Sequence, residues 1–227
     1  MPTLLLTYFG PFSGTPSNPT GQVAQRVAQL LAGSAPGLSV QVRELPVEFA
    51  ASSRALAEIL DEVQPQIAIA LGVAVGRDKV SLERVAINMD SARIPDNAGD
   101  QRTDTPIQLD GPTAYFSTLP TRAIFERLTA DGLPLELSYS AGTFVCNHVF
   151  YELMHKTGGF IPAGFIHIPL SDSDLLKAKG QLSSPCAEAG GLEGKTAPTP
   201  TLALDLMAQI LEGCIALTLE TLTQPGA

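Results

Sequence analysis

Tryptophan is absent from this 227-residue chain, and cysteine and histidine occur only three times each. Lysine and arginine are outnumbered, 14 against 23 acidic residues, for a net charge of −9. The basic residues are scattered and form no stripe. Such a surface does not attract phosphate backbones or anionic lipids, which argues against nucleic-acid and membrane partners. Cys146, Cys186 and Cys214 are an odd set without framework spacing, so no disulfide scaffold is expected. CxxC and HExxH are missing, which leaves no recognisable metal site, and no cofactor is expected. GxGxxG and GK[ST] are missing as well, so "GVAVGR" and "GPFSGTPSNPTG" are not nucleotide-binding loops. Long uninterrupted apolar runs are also lacking. The C-terminal "LALDLMAQILEGCIALTLETL" is broken by Asp205, Glu212 and Glu220 and reads as a soluble helix. "MPTLLLTYFG" has no charged leader region and no cleavage site, so a cytoplasmic chain with reduced thiols is expected.

What is present is a chain long enough to bury a large core, 44% hydrophobic, read as one domain over residues 1–227. Strand-like stretches alternate with helical ones. "TLLLTYF" is a short buried strand. "NPTGQVAQRVAQLLAG" carries Val23, Val27, Leu30 and Leu31 on one helical face. "LSVQVRELPV" alternates as a strand does, and "ASSRALAEILDEVQ" is helical. "PQIAIALGVAVG" reads as a central strand buried on both faces. "RVAINMDSARI" alternates again, and residues 95–120 read mostly as loop. "PTRAIFERLTADG", "NHVFYELMHKTGG" and residues 201–222 are helical; "LPLELSYSAG" and "FIPAGFIHIPL" are strands. Residues 177–200 read as a long loop. The alternation predicts βαβ crossovers: a three-layer α/β/α sandwich around a twisted, mostly parallel mixed sheet. Chemistry on such folds gathers at the carboxyl ends of strands.

Cys146 follows a strand and a glycine-containing turn and opens a predicted helix. A helix N-terminus favours a thiolate and offers N–H groups to an oxyanion, so Cys146 is a candidate nucleophile. The plain alternative is a buried small hydrophobe, which free cysteine often is. A nucleophile needs a base. On an ideal helix His148 projects about 200° and His155 about 180° from Cys146, so neither faces the thiol. His167 ends the strand after that helix, and the crossover returns it beside Cys146. The group that orients the imidazole is not chosen by spacing: Glu83, Asp90, Asp96, Asp172 and Asp174 all lie near strand ends. Phe9 and Phe12 flank the first glycine-rich turn and suit a small flat ligand.

Several stretches together resemble the pyroglutamyl-peptidase I family of cysteine peptidases. They are "LLTYFGPFSGTPSNPT", "LPVEF", "SLERVAINMDSARIPDNAGDQ", "SYSAGTFVCNHVFY" and "GFIHIP", in family order over about residues 3–170. The glutamate and cysteine motifs are long and specific. The resemblance implies an α/β/α sandwich that needs no metal, commonly assembles as a homotetramer and cleaves peptides after an N-terminal pyroglutamate. It implies Cys146 as nucleophile, His167 as base and then acid, and Glu83 as the group orienting His167. It also implies Phe9, Phe12, Phe144 and Val145 as pocket, with Arg93 at the oxyanion or holding the site. Tyr8, Gly10, Ser13, Val73 and Val75 depart from the family pattern in segments expected near the pocket. Those departures keep open a cysteine hydrolase of the same fold acting on another small amide or ester, or a reactive-thiol protein without peptidase activity. Beyond residue 170 the resemblance fades. Cys186 has no evident role, and Cys214 reads as helix core.

Overall fold

The computed structural model describes residues 1–12, 18–175 and 198–223. Ser13, Cys186 and nearly all of the expected loop 177–200 lie outside that set. Among the described residues the central sheet has six strands: β1 (Thr3–Phe9), β2 (Ser39–Leu45), β3 (Ile67–Val73), β4 (Val80–Glu83), β7 (Leu135–Ser138) and β8 (Ala163–Ile168). Their order is β2-β1-β3-β8-β4-β7. The first four run parallel, β4 pairs antiparallel with β8, and β7 runs parallel to β4. β5 (Val85–Ile87) and β6 (Ala114–Phe116) form a separate antiparallel ribbon. The mixed, mostly parallel sheet agrees with the sequence reading. Two details differ from it. "RVAINMDSARI" is not one strand, and a short strand lies inside the expected loop 95–120.

Among the described residues the sheet is covered by α1 (Pro19–Ser34), α2 (Phe49–Val63), α3 (Thr121–Ala130), α4 (Val145–Thr157) and α5 (Leu204–Thr223). Strand alternation divides the core into two layers. Leu4, Leu6, Ile67, Ile69, Leu71, Ile166 and Ile168 meet α1, α3 and α5 on one face. Leu5, Phe9, Ala68, Ala70, Ala163 and Phe165 meet α2 and α4 on the other. β3 is buried almost throughout because helices cover both its sides, which explains its unbroken apolar run. Cys214 is fully buried in the α5 layer, as its sequence position suggests. Among the described residues no helix is long and apolar enough to cross a membrane.

Local signals place the helix starts. Asn18 caps α1 by accepting from the Thr20 N–H at 3.1 Å, with Pro19 in the first turn. α2 begins at Phe49, two residues ahead of the stretch "ASSRALAEILDEVQ" read as helical. The carboxylate of Asp96, distant in sequence, accepts from the Phe49 N–H at 2.8 Å and is 6% exposed. Two departures from the family pattern are absorbed on the α1 side of the fold. A Cβ on Gly21 would lie 2.9 Å from the Tyr8 ring, and a Cβ on Gly10 would lie 2.7 Å from Glu44 Oε1. The larger residue at 8 and the missing side chain at 10 are thus matched by their neighbours.

Candidate active site

Cys146 is the second residue of α4, partly exposed, on the α2/α4 side of the sheet. Three contacts fix this helix start. Asn147 behaves like a missing strand: its side chain accepts from the Ile87 N–H at 3.0 Å and donates to the Ile87 and Met89 carbonyls at 2.9 and 3.1 Å. Thr143 Oγ1 donates to the Ser91 carbonyl at 2.6 Å, and the Ser91 N–H donates back to the Thr143 carbonyl at 2.9 Å. Gly142 turns the chain with φ +80°, a backbone angle that side chains resist. No side chain caps α4 at Phe144, so the first-turn N–H groups face outward without an intrahelical acceptor.

His167 comes from β8, whose odd-numbered residues face the same side. Gly72 on β3 lies directly across from it. On the other side β4 contributes Glu83. In the antiparallel register Ser81 is opposite His167 and Glu83 opposite Phe165, so Glu83 is the diagonal neighbour of the imidazole. Its Oε1 lies 2.8 Å from His167 Nδ1. Glu83 is fully buried and His167 is 4% exposed. The sequence reading put Glu83 near the edge of the central strand before it. It stands instead on a short strand of its own, running the other way.

The electrostatics follow from this burial. Burial alone would discourage ionisation of Glu83, but the hydrogen bond and charge of His167, the Ser138 hydroxyl and Arg77 together outweigh it. The carboxyl is held below its usual range. Burial pushes the Cys146 thiol up to about 12; the Glu83 charge adds to the effect and Arg77 opposes it. Desolvation thus opposes the thiolate that a helix terminus favours. Among the described residues no hydrogen bond joins Cys146 to His167. A thiol–imidazole contact of this kind commonly tightens only with substrate in place.

The other candidates are engaged elsewhere. His148 is buried, with Nδ1 2.8 Å from Asp90 Oδ2 and Nε2 2.6 Å from Ser53 Oγ; Arg102 donates to the same Asp90 oxygen at 2.8 Å. His155 Nδ1 meets the Tyr115 hydroxyl at 2.7 Å. Asp96 holds the start of α2, Asp172 pairs with Thr201, and Asp174 with Ser171. Of the five carboxylates considered, only Glu83 reaches His167.

The aromatic residues divide into lining and support. Phe12 and Phe144 are partly buried, with ring centroids 5.2 Å apart. Phe9 and Val145 are buried beneath, at 4% and 1% exposure. Phe49, the aromatic of the "LPVEF" motif but not expected in the pocket, meets Phe144 edge-on at 5.4 Å and lies under the Arg102 guanidinium at 4.6 Å. Arg93 is exposed and makes no ion pair among the described residues. Tyr8 and Val73 belong by alternation to the opposite face of the sheet from Cys146, and Val75 is 56% exposed. Surface clefts of about 280 and 530 Å³ lie elsewhere, between α1 and α5 and at the C-terminal ends of α2 and α4, and neither contains these residues. Among the described residues no cluster of histidine, cysteine and carboxylate could hold a metal ion.

A doubly covered mixed sheet, with a cysteine at a helix start and a histidine held by a buried carboxylate on the same face, has the layout of a cysteine-type hydrolase. The chain belongs to the pyroglutamyl peptidase family, whose model matches residues 2–191. Among its relatives, the pyrrolidone-carboxylate peptidase of Cupriavidus taiwanensis is 42% identical, covering 97% of this chain and 94% of that protein. That of Chromobacterium violaceum is 48% identical over 81% and 85%. A mutant pyrrolidone carboxyl peptidase of Pyrococcus furiosus superposes with a TM-score of 0.84 at 34% identity, covering 97% of this chain and 99% of that one. Pyroglutamyl peptidase I of Bacillus amyloliquefaciens gives 0.80 at 36%, covering 96% of each. Similarity thus runs well past residue 170, where the motifs alone faded.

Proposed function

We propose that this chain hydrolyses the amide bond after an N-terminal pyroglutamyl residue, with Cys146 as nucleophile, His167 as base and acid, and Glu83 orienting His167. The observation that carries the reading is the buried 2.8 Å Glu83–His167 pair on the face of the sheet that carries Cys146. Glu83 accepts from Nδ1, which leaves Nε2 to take a proton. The thiol loses its proton to Nε2 as sulfur attacks the pyroglutamyl carbonyl. The α4 first-turn N–H groups receive the developing oxyanion. The imidazolium then protonates the departing amine, and water, deprotonated by His167, cleaves the thioester. No cofactor enters this scheme.

The lactam is small, flat and uncharged. Phe12 and Phe144, backed by Phe9, Phe49 and Val145, suit it, and they would penalise the ammonium of an ordinary N-terminus. The chain is read as a homo-oligomer, a homotetramer by the family resemblance. Its unpaired thiols, Cys146 and Cys214, suit a cytoplasmic setting. Replacing Cys146 with Ala should abolish cleavage of a fluorogenic pyroglutamyl amide while the fold is kept. Retained turnover would sink the assignment.

A further inference from the structure

Arg77 lies in the turn after β3, in "GVAVGR", a stretch to which the reaction above gives no part. Its Nη1 donates to Glu83 Oε1 at 2.8 Å, the same oxygen that meets His167 Nδ1. Its Nη2 donates to the Ser140 carbonyl at 3.3 Å, in the loop that leads to Cys146. Its side chain is 28% exposed while that of Glu83 is fully buried, so Arg77 reaches inward from the rim. One guanidinium thus bridges the strand carrying Glu83 and the loop carrying the thiol.

We propose that Arg77 is a positioning residue of this site: it fixes the Glu83 carboxylate beneath His167 and sets the charge balance between the imidazole and the Cys146 thiol. This rests on the reading of Glu83, His167 and Cys146 given above. The need for such a residue is electrostatic. A fully buried carboxylate facing only an imidazole would favour imidazolium and, by its own charge, oppose the thiolate. A cation on the same oxygen offsets both effects. Arg77 does oppose the influence of Glu83 on the thiol. The charged and titratable groups around the Glu83–His167 pair are few among the described residues. They are Arg77 from the β3–β4 turn, Cys146 from α4, and Glu136 on β7, which lies 3.9 Å from Arg77 and accepts from Ser81 Oγ at 2.6 Å. Glu136 is 41% exposed, so it draws on Arg77 only weakly.

The test compares the unmodified chain with Arg77→Ala and Arg77→Lys. For Arg77→Ala, kcat for a pyroglutamyl amide should fall about tenfold or more while KM changes less than about twofold, because ground-state binding does not involve Arg77. The acid limb of kcat/KM should move to higher pH by about half a unit to one unit, since a cation has been removed from beside the pair. The rate of Cys146 alkylation by iodoacetamide at fixed pH should fall severalfold. Lys at 77 keeps the charge and loses the second donor, so it should restore the pH profile and alkylation rate and most of kcat. An unchanged pH profile and alkylation rate in Arg77→Ala would overturn the proposal. So would a kcat loss that follows a lowered melting temperature and is not relieved by Lys. Alkylation reads Arg77 even if the pyroglutamyl amide is not a substrate, so failure of the two readings can be told apart.

Discussion

A single methyl group placed on Gly72 provides a sensitive test of the site geometry. Gly72 and His167 are cross-strand partners on β3 and β8. A Cβ at 72 would lie 2.7 and 2.8 Å from Phe165 Cζ and Cε1, and 2.9 Å from His167 Cδ2. Phe165 is fully buried and His167 nearly so, and the rings stand 4.8 Å apart, so neither can step aside without moving the other. Ordinary carbon contacts begin near 3.4 Å, so both rings must shift by about half an ångström or more. Gly72 does not have positive φ, so alanine is acceptable to the backbone and the effect comes from the side chain alone. Overpacking of this kind costs about 1–3 kcal/mol of stability. Displacing the base by a sizeable fraction of an ångström should lower kcat by about 10- to 100-fold. Steady-state turnover of a fluorogenic pyroglutamyl amide measures the second effect, and urea unfolding the first. Gly72→Ala with full kcat and an unchanged unfolding midpoint would refute the placement of His167 against Gly72.

Phe49→Ala removes a fully buried ring that backs Phe144, and it should cost about 3–5 kcal/mol in chemical denaturation and raise KM. Phe12→Ala, at a partly exposed ring, should raise KM for the pyroglutamyl amide by about tenfold with a much smaller stability change, separating pocket lining from support. Glu83 tests the pH dependence. Its carboxyl is held below its ordinary value of 4.5, so its ionised form adds stability that is complete above that pH and is lost as pH falls through the lowered value. Unfolding midpoints should therefore show the unmodified chain losing ground to Glu83→Gln as the buffer is taken below about pH 4.5. A difference that stays constant over that range would contradict the assigned charge. Asn147→Ala removes the acceptor of the Ile87 N–H and the side-chain donor to the Ile87 and Met89 carbonyls, the former still held by the Met89 N–H, and should cost about 1–3 kcal/mol while loosening the helix start that carries Cys146.

Hydrophobic pattern and turn chemistry already specify much of this protein. The unbroken apolar run of β3, the one-sided helix "QVAQRVAQLLAG" and the alternation of elements define a doubly covered sheet, because burial on one face or two leaves a period in the sequence. Helical periodicity also separates His148 and His155 from Cys146 with no coordinates at all, and both turn out to bond other partners. The motifs give the family. What spacing along the chain could not choose was the carboxylate, which only the family resemblance assigned to Glu83. Glu83, Asp90, Asp96, Asp172 and Asp174 look alike along the chain. Only the antiparallel register of β4 against β8 brings one of them diagonal to His167, and strand direction leaves no mark in a four-residue stretch. The same holds for Arg77, Gly72, Phe49 and Asn147, whose contacts cross between elements far apart in sequence. The resting state of the thiol is likewise a tertiary property: the helix start is legible locally, but the desolvation that pushes Cys146 to about 12 comes from elements packed over it. Local periodicity thus determines which faces are buried; only packing decides which polar groups share the space between them.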